Sequence, residues 1–241
     1  MIDLHSHVLW GVDDGPKELA RSIKMLDLAK ADGIDVLFTT SHYNKDLPDL
    51  LPQRLAELEP HAAERGIKLV PGTEVDYVYL ADTRPLIPLG NSNFVLVDVR
   101  QPYLEISTEH IFSRVAIDGY RIIIAHPERL FMESNLKTVR ELLEMDCLFQ
   151  INAGSLAGFH GSHSKHLAIK IIESGLAHYV GSDAHSPRRT FFMTAARAEV
   201  EKRFGARTAE LLFEENARQL LDGEAPFKVL PPKKKWYQFW R

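Results

Sequence analysis

Apolar runs of three to five residues recur along this 241-residue chain, separated by stretches with helical spacing. Ile2 and Leu4 open the first run; Val36–Thr39, Ile67–Val70, Phe94–Val97, Ile122–Ile124, Leu148–Ile151 and His178–Val180 supply six more. Between the first two, Leu19, Ile23 and Leu26 keep the spacing of one helix face, and Gly33 ends it. Residues 52–65 read as a second helix stopped by Gly66. Further helices are expected near 108–118, 134–145, 164–174, 190–204 and 207–221. Strands that are apolar throughout, alternating with helices, indicate a parallel sheet covered on both faces. Seven such units predict a closed or nearly closed (β/α)7 barrel, and an open doubly wound sheet is the alternative. One domain over residues 1–222 is expected, followed by a basic, aromatic tail at 223–241.

The polar residues that interrupt this pattern are placed unevenly. Nearly every expected strand ends, on its C-terminal side, in a potential metal ligand: His5 and His7, His42, Glu74, Asp98, His126, then Asp183 and His185. His5 and His7, two apart on an extended segment, project from the same side. In a parallel barrel all these strand ends share one face, where barrel enzymes keep their active sites. Singly, each residue has a bland explanation: His42 as a core histidine, Glu74 as a loop carboxylate, Asp98 as a helix cap. Chance would scatter eight such residues along helices and loops as well. Asp13 or Asp14, in a glycine-flanked loop, makes a ninth candidate.

Imidazole and carboxylate donors with no thiolate suit Mn, Fe, Zn or Co better than a structural zinc site. Nine donors exceed what one ion takes, so two or three ions are expected. Clustered cations lower the pKa of a water and clamp the attacking and leaving oxygens of phosphoryl transfer. Arg129, three residues after His126, and Arg188 or Arg189, just after His185, are placed to hold a phosphate bidentately.

Composition narrows this picture in three places. The single Cys147 lies in an apolar run and excludes an intramolecular disulfide framework. Net charge is −4, but residues 231–241 hold Lys233, Lys234, Lys235 and Arg241 with no acid, which leaves −8 on the remainder. So acidic a body argues against nucleic-acid binding. The start shows no basic region followed by an apolar one, no apolar stretch is long enough to span a bilayer, and the chain reads as cytoplasmic. The Lys233–Arg241 segment reads equally as a contact with an anionic membrane surface or as a segment folded back on the protein. His160, His163 and His166 read as a solvated lid loop, with a further metal site as the alternative.

Six segments then carry a resemblance to a known family. They are M-I-D-L-H-S-H…D-D-G-P at the start, T-S-H at 40–42, P-G-T-E at 71–74, A-H-P-E-R at 125–129, Q-I-N-A-G-S at 150–155 and G-S-D-A-H at 181–185. In order, from residue 1 to about 222, they resemble the PHP superfamily, and more narrowly the manganese-dependent protein-tyrosine phosphatases of bacterial capsule and exopolysaccharide loci. The resemblance implies a distorted, TIM-like barrel holding three metal ions, with Mn expected and Fe, Zn, Co or Mg as alternatives. It implies one ion on His5, His7, Glu74 and Asp183, a second on Glu74, Asp98 and His126, and a third on Asp14, His42 and His185. Arg129 and Arg189 would grip the phosphate. The implied substrate is the phosphotyrosine tail of a membrane-associated bacterial tyrosine kinase. Asp98 departs from the glutamate expected at its position, and its shorter side chain would shift the second ion or require a water. Two other functions remain open at this point: hydrolysis of a small ester such as histidinol phosphate, and a metal-stabilised binding module without turnover.

Overall fold

A computed structural model describes residues 1–80, 86–99, 107–129 and 142–229. The chain alternates strand and helix, and every strand pairing between neighbours is parallel. Strands β1 (Ile2–Asp3), β2 (Val36–Thr39) and β3 (Lys68–Pro71) form one sheet in that order. A second sheet runs β4 (Glu74–Asp76), β5 (Phe94–Asp98), β6 (Arg121–Ala125), β7 (Leu148–Asn152), β8 (Tyr179–Gly181). The helices are α1 (Leu19–Ala31), α2 (Leu47–Glu64), α3 (Ser107–Ile117), α4 (Ala153–Ala157), α5 (Gly161–Glu173) and α6 (Met193–Phe204). Then α7 (Ala206–Glu210) passes through a π-helical turn at Leu211–Glu215 into α8 (Asn216–Leu221).

This is a mixed α/β fold with parallel sheets, and among the described residues no single closed ring of strands is found. The break falls at Pro71–Thr73. Pro71 offers no N–H to a ladder, and at Gly72 a Cβ would sit 2.7 Å from the Leu89 side chain. The chain therefore leaves the first sheet at Pro71 and joins the second at Glu74, which adds an eighth strand to the seven expected. Isolated parallel bridges tie the two sheets together, Ser6 to Ala184 on one side and His42 to Glu74 on the other. Both seams carry site residues.

Side chains alternate along the strands. Phe94 and Leu96 of β5, Ile123 of β6, Leu148 of β7 and Tyr179 of β8 pack with Leu4 and Phe38 in one small apolar cluster, which Ala217 and Leu220 of α8 close. The alternate set, including Val95, Val97, Ile122, Ile124, Phe149 and Val180, packs in the larger cluster that receives the helices. Both strand faces are thus buried, as their unbroken apolar sequences require. On the first face the next positions along the strands turn polar: Asp98 after Leu96, and Gln150 after Leu148. The apolar cluster is the floor of the site.

Several local expectations change. α2 begins at Leu47 rather than at 52, because Pro48 in its first turn loses no bond that a helix would make there. α5 begins at Gly161, so His163 and His166 stand exposed on a helix rather than in a lid loop. His160 precedes that helix, half-buried. Most of the helix expected at 134–145 and the whole Lys233–Arg241 segment lie outside the described residues. No described helix is long and apolar enough to cross a membrane.

One buried histidine ties the floor of the fold to pH. His178 Nδ1 accepts the Phe149 N–H at 3.1 Å, and its carbonyl accepts from Asn216 Nδ2 at 2.8 Å. Burial, with the Arg121 charge, pushes its pKa down to about 4. The unfolded chain therefore takes up a proton near pH 6.5 that the folded chain refuses, and stability falls as pH drops from 6.5 toward 4. This group alone should remove about 2 kcal/mol by about pH 5. In urea unfolding at neutral pH and at about pH 5, His178→Asn should lose less stability on acidification than the parent by about that amount. Equal acid losses would refute the assignment.

Candidate metal centre

Glu74 stands at the middle of the site. The first residue of β4, it is 1% exposed, and its backbone is held by Glu74 N–H to Ser41 O at 3.1 Å and Tyr43 N–H to Glu74 O at 2.8 Å. Four imidazoles surround its carboxylate. His42 Nδ1 is 2.9 Å from Oε2 and His7 Nε2 3.4 Å from it; His126 Nε2 is 3.1 Å from Oε1 and His5 Nε2 3.4 Å from it. Burial would raise the Glu74 carboxyl, but the charge and hydrogen bonds of these histidines hold it well below the usual carboxylate range.

Two of these imidazoles, and that of His185 beside them, are fixed in tautomer by partners behind them. Gln150 Nε2 donates to the Ile151 and Gly181 carbonyls, so its Oε1 faces His5 and accepts from Nδ1 at 2.9 Å. His7 Nδ1 donates to Asp13 Oδ2 at 2.8 Å, and His185 Nδ1 to the Asp183 carbonyl at 2.9 Å. Each ring therefore turns an Nε2 lone pair toward the same centre, the arrangement that prepares histidine for a metal. The Nε2 atoms of His5 and His7 stand 3.1 Å apart. Two lone pairs so placed repel unless a cation or a proton lies between them. The proton affinity of His7 shows the same demand. Its burial favours the neutral ring, yet hydrogen bonds to Asp13 and Glu74 push its pKa up to about 10.

The donor atoms gather in four overlapping groups, each within 4.8 Å: His7, Asp14, His42 and His185; His5, His7 and Glu74; His5, His126 and Asp183; and Glu74, Asp98 and His126. His185 Nε2 is buried without a hydrogen-bond partner, 3.3 Å from Asp14 Oδ1. Buried nitrogen and oxygen donors, tautomer-fixed and without thiolate, fit divalent transition metals. All nine residues singled out from the sequence lie in these groups. Asp183 gathers with His5 and His126, and its Oδ1 also lies 3.6 Å from His5 Nε2 and 3.5 Å from His7 Nε2.

Arg129 Nη1 donates to Asp183 Oδ2 at 2.5 Å, Asn152 Nδ2 donates to it at 3.2 Å, and Arg189 Nη2 donates to it as well. Both arginines line, with His42, Glu74, Asp98, His126, Asp183 and His185, an open cleft of about 290 Å³. Arg188 points elsewhere: it is exposed and does not line the cleft. His160, His163 and His166 join no donor group among the described residues.

The supporting residues were harder to read. Asp13 is placed behind His7, not beside Asp14: besides His7 it accepts the His42 N–H at 3.0 Å and the Gly15 N–H at 2.9 Å. Gly15 permits that fold, since a Cβ there would lie 2.4 Å from the His7 carbonyl oxygen. Glu128, buried, accepts the Asn152 N–H, and Asp3 accepts the His5 and Ser182 N–H groups. Their only sequence signal was proximity to a donor in D-L-H, D-D-G and H-P-E-R.

Residues 1–222 match the family model described as capsular polysaccharide synthesis, CpsB/CapC. The tyrosine-protein phosphatase YwqE of Bacillus subtilis is 31% identical, covering 96% of this chain and 95% of that protein. CpsB of Streptococcus pneumoniae, also named a tyrosine-protein phosphatase, is 31% identical over 92% of this chain and 98% of its own length. The putative tyrosine-protein phosphatase CapC of Staphylococcus aureus is 29% identical over 98% and 99%. A crystal structure from the set of YwqE and pneumococcal CpsB, described as unique metal-dependent tyrosine phosphatases, superposes with a TM-score of 0.83 at 30% identity, covering 97% of this chain and 100% of its own.

The Asp13–His7 pair predicts a graded effect. Asp13→Asn keeps the size of the side chain but weakens its hold on the His7 ring. Metal affinity, read by competition with a chromophoric chelator, should fall about 10- to 100-fold with unchanged circular dichroism. An unaltered affinity would remove Asp13 from the site.

Proposed function

The chain belongs to the CpsB/CapC capsular polysaccharide synthesis family, and from that we infer that it is a metal-dependent phosphatase of tyrosine-phosphorylated proteins. The observation that carries this reading is the pairing, in one cleft, of a buried nitrogen and carboxylate donor cluster with two arginines. Donors alone would suit many metalloproteins. Guanidinium groups on the rim of the same cleft suit a phosphate dianion.

We assign three divalent cations, Mn by preference, to this cluster: one on His5, His7, Glu74 and Asp183, a second on Glu74, Asp98 and His126 with Glu74 shared, a third on Asp14, His42 and His185. When bound, such cations supply Lewis acidity and make a water nucleophilic near neutral pH. The chain's own residues do the rest. Arg129 and Arg189, drawn to Asp183 Oδ2, hold the equatorial phosphate oxygens and neutralise the charge that builds there. The apolar floor below Asp98 and Gln150 keeps bulk water from the back of the donors. A tyrosyl phenolate leaves with a pKa of about 10, so this reaction asks little of a general acid, and none is assigned. The physiological substrate in this reading is the phosphotyrosine tail of a bacterial tyrosine kinase. The two bridged sheets are read as a distorted (β/α)7 barrel opened at Pro71–Thr73.

The test is turnover of a phosphotyrosine peptide beside small phosphate esters, histidinol phosphate included, by metal-loaded and chelator-stripped protein. Stripping should abolish turnover and Mn should restore it. Arg129→Ala should lower kcat/KM on the peptide about 10²–10³-fold with metal content unchanged. Activity that survives stripping would overturn the metal chemistry, and turnover confined to a small ester would overturn the substrate class.

A further inference from the structure

A second cleft opens beside the first. It has a volume of about 360 Å³, shares His185 and Arg189 with the metal cleft, and runs from there along Asp14–Lys17 to Arg21 near the start of α1. Gly15, Pro16, Ser186 and Pro187 complete its lining. None of the donor chemistry needs this extension.

Its charge is unusual for the molecule. The protein is acidic overall, at −4, yet Lys17, Arg21 and Arg189 line this one cleft against a single carboxylate, Asp14. That carboxylate is turned to the metal side, with Oδ1 3.3 Å from His185 Nε2 and 3.6 Å from His42 Nε2. Lys17 Nζ donates to the Asp13 carbonyl at 2.5 Å and has no carboxylate partner among the described residues. The exposed Arg21 side chain makes no hydrogen bond or ion pair with any described residue. Several arginines on helices of this protein are paired, Arg54 with Glu57, Arg197 with Glu201 and Arg203 with Glu199. Two cations four residues apart, lining a cleft and lacking a carboxylate partner among the described residues, form a complementary surface for an anion brought by something else.

The shared Arg189 fixes what brings it. Arg189 and His185 line both clefts, so a phosphotyrosine seated on Arg129 and Arg189 would stand at the mouth of this one, within reach of its peptide flank. We propose that Lys17 and Arg21 form a subsite for a second anionic group of the substrate, beside the phosphotyrosine in the same peptide. The inference rests on the phosphatase reading above and adds a sequence preference to it. Carboxylate side chains and a second phosphate present the same chemistry to these cations, and the experiment separates them.

Three phosphotyrosine peptides of equal length serve as probes, one with Asn and Gln flanks, one with Asp and Glu flanks, one with a second phosphotyrosine in the flank. A small aryl phosphate that cannot reach the second cleft is the control. Metal-loaded wild type should favour an anionic flank over the neutral one in kcat/KM by roughly three- to tenfold at low salt, and less at high salt. Lys17→Gln with Arg21→Gln should erase that preference while turnover of the aryl phosphate stays unchanged. The anionic peptide with the larger gain identifies the group that occupies the subsite. Equal turnover of neutral and anionic peptides by the wild type, or a preference that persists in the double variant, would overturn the subsite and leave the phosphatase reading intact. No turnover of any peptide or of the aryl phosphate would overturn both.

Discussion

A carboxylate sealed from water among four imidazoles is the constraint on which this structure turns. Glu74 cannot be buried as an anion unless positive charge comes with it, because an uncompensated carboxylate in a protein interior is far too unfavourable to persist. Four rings within 3.4 Å meet that demand in part. Their own lone pairs then crowd one another, and His5 and His7 approach to 3.1 Å. Every arrangement that relieves both problems places cationic charge inside the cluster. The fold holds these groups together against their mutual repulsion with the Gln150 amide, the Asp13 carboxylate and the parallel bridges at Ser6 and His42.

That explains why the two sheets matter more than whether they form one ring. His5, His7 and His42 follow strands of the first sheet, while Glu74, Asp98, His126 and Asp183 begin, end or follow strands of the second. Three of the four donor groups draw on both sheets, and Glu74, which the second sheet supplies, belongs both to one of these and to the group it makes with Asp98 and His126. The seam at Pro71–Thr73, where pairing is handed from one sheet to the other, is also where Glu74 is delivered to the centre.

Much of this was legible in the chain. Unbroken apolar runs located seven strands, because strands buried on both faces have no polar alternation to hide them. Donors stood out by sitting just past those runs. β4 was not legible: three residues, Glu74 to Asp76, one of them the donor itself, carry no periodicity to detect. The distinction between Asp13 and Asp14 was equally closed to sequence, since two adjacent aspartates differ only in which way the loop turns them. Gly15 was the available clue, and its meaning depends on how near the His7 carbonyl lies. His163 and His166 were misread because the Gly and Ser residues around them suggest a loop, whereas the buried face Leu167, Ala168, Ile171 and Ile172 carries the helix back to Gly161.

The backbone angles at two donors have a consequence of their own. His126 and Asp183 sit at φ of 34° and 55°, left-handed conformations that cost a residue other than glycine about 1–3 kcal/mol each. His126 follows β6 and Asp183 follows β8, so each sharp turn aims its donor inward instead of continuing the strand. Glycine would relax either turn and is forbidden there by the loss of the donor. The protein therefore carries a built-in thermodynamic burden at its most reactive point. Directed evolution for heat tolerance that relaxed these two turns would arrive at sturdier molecules with a dismantled donor cluster.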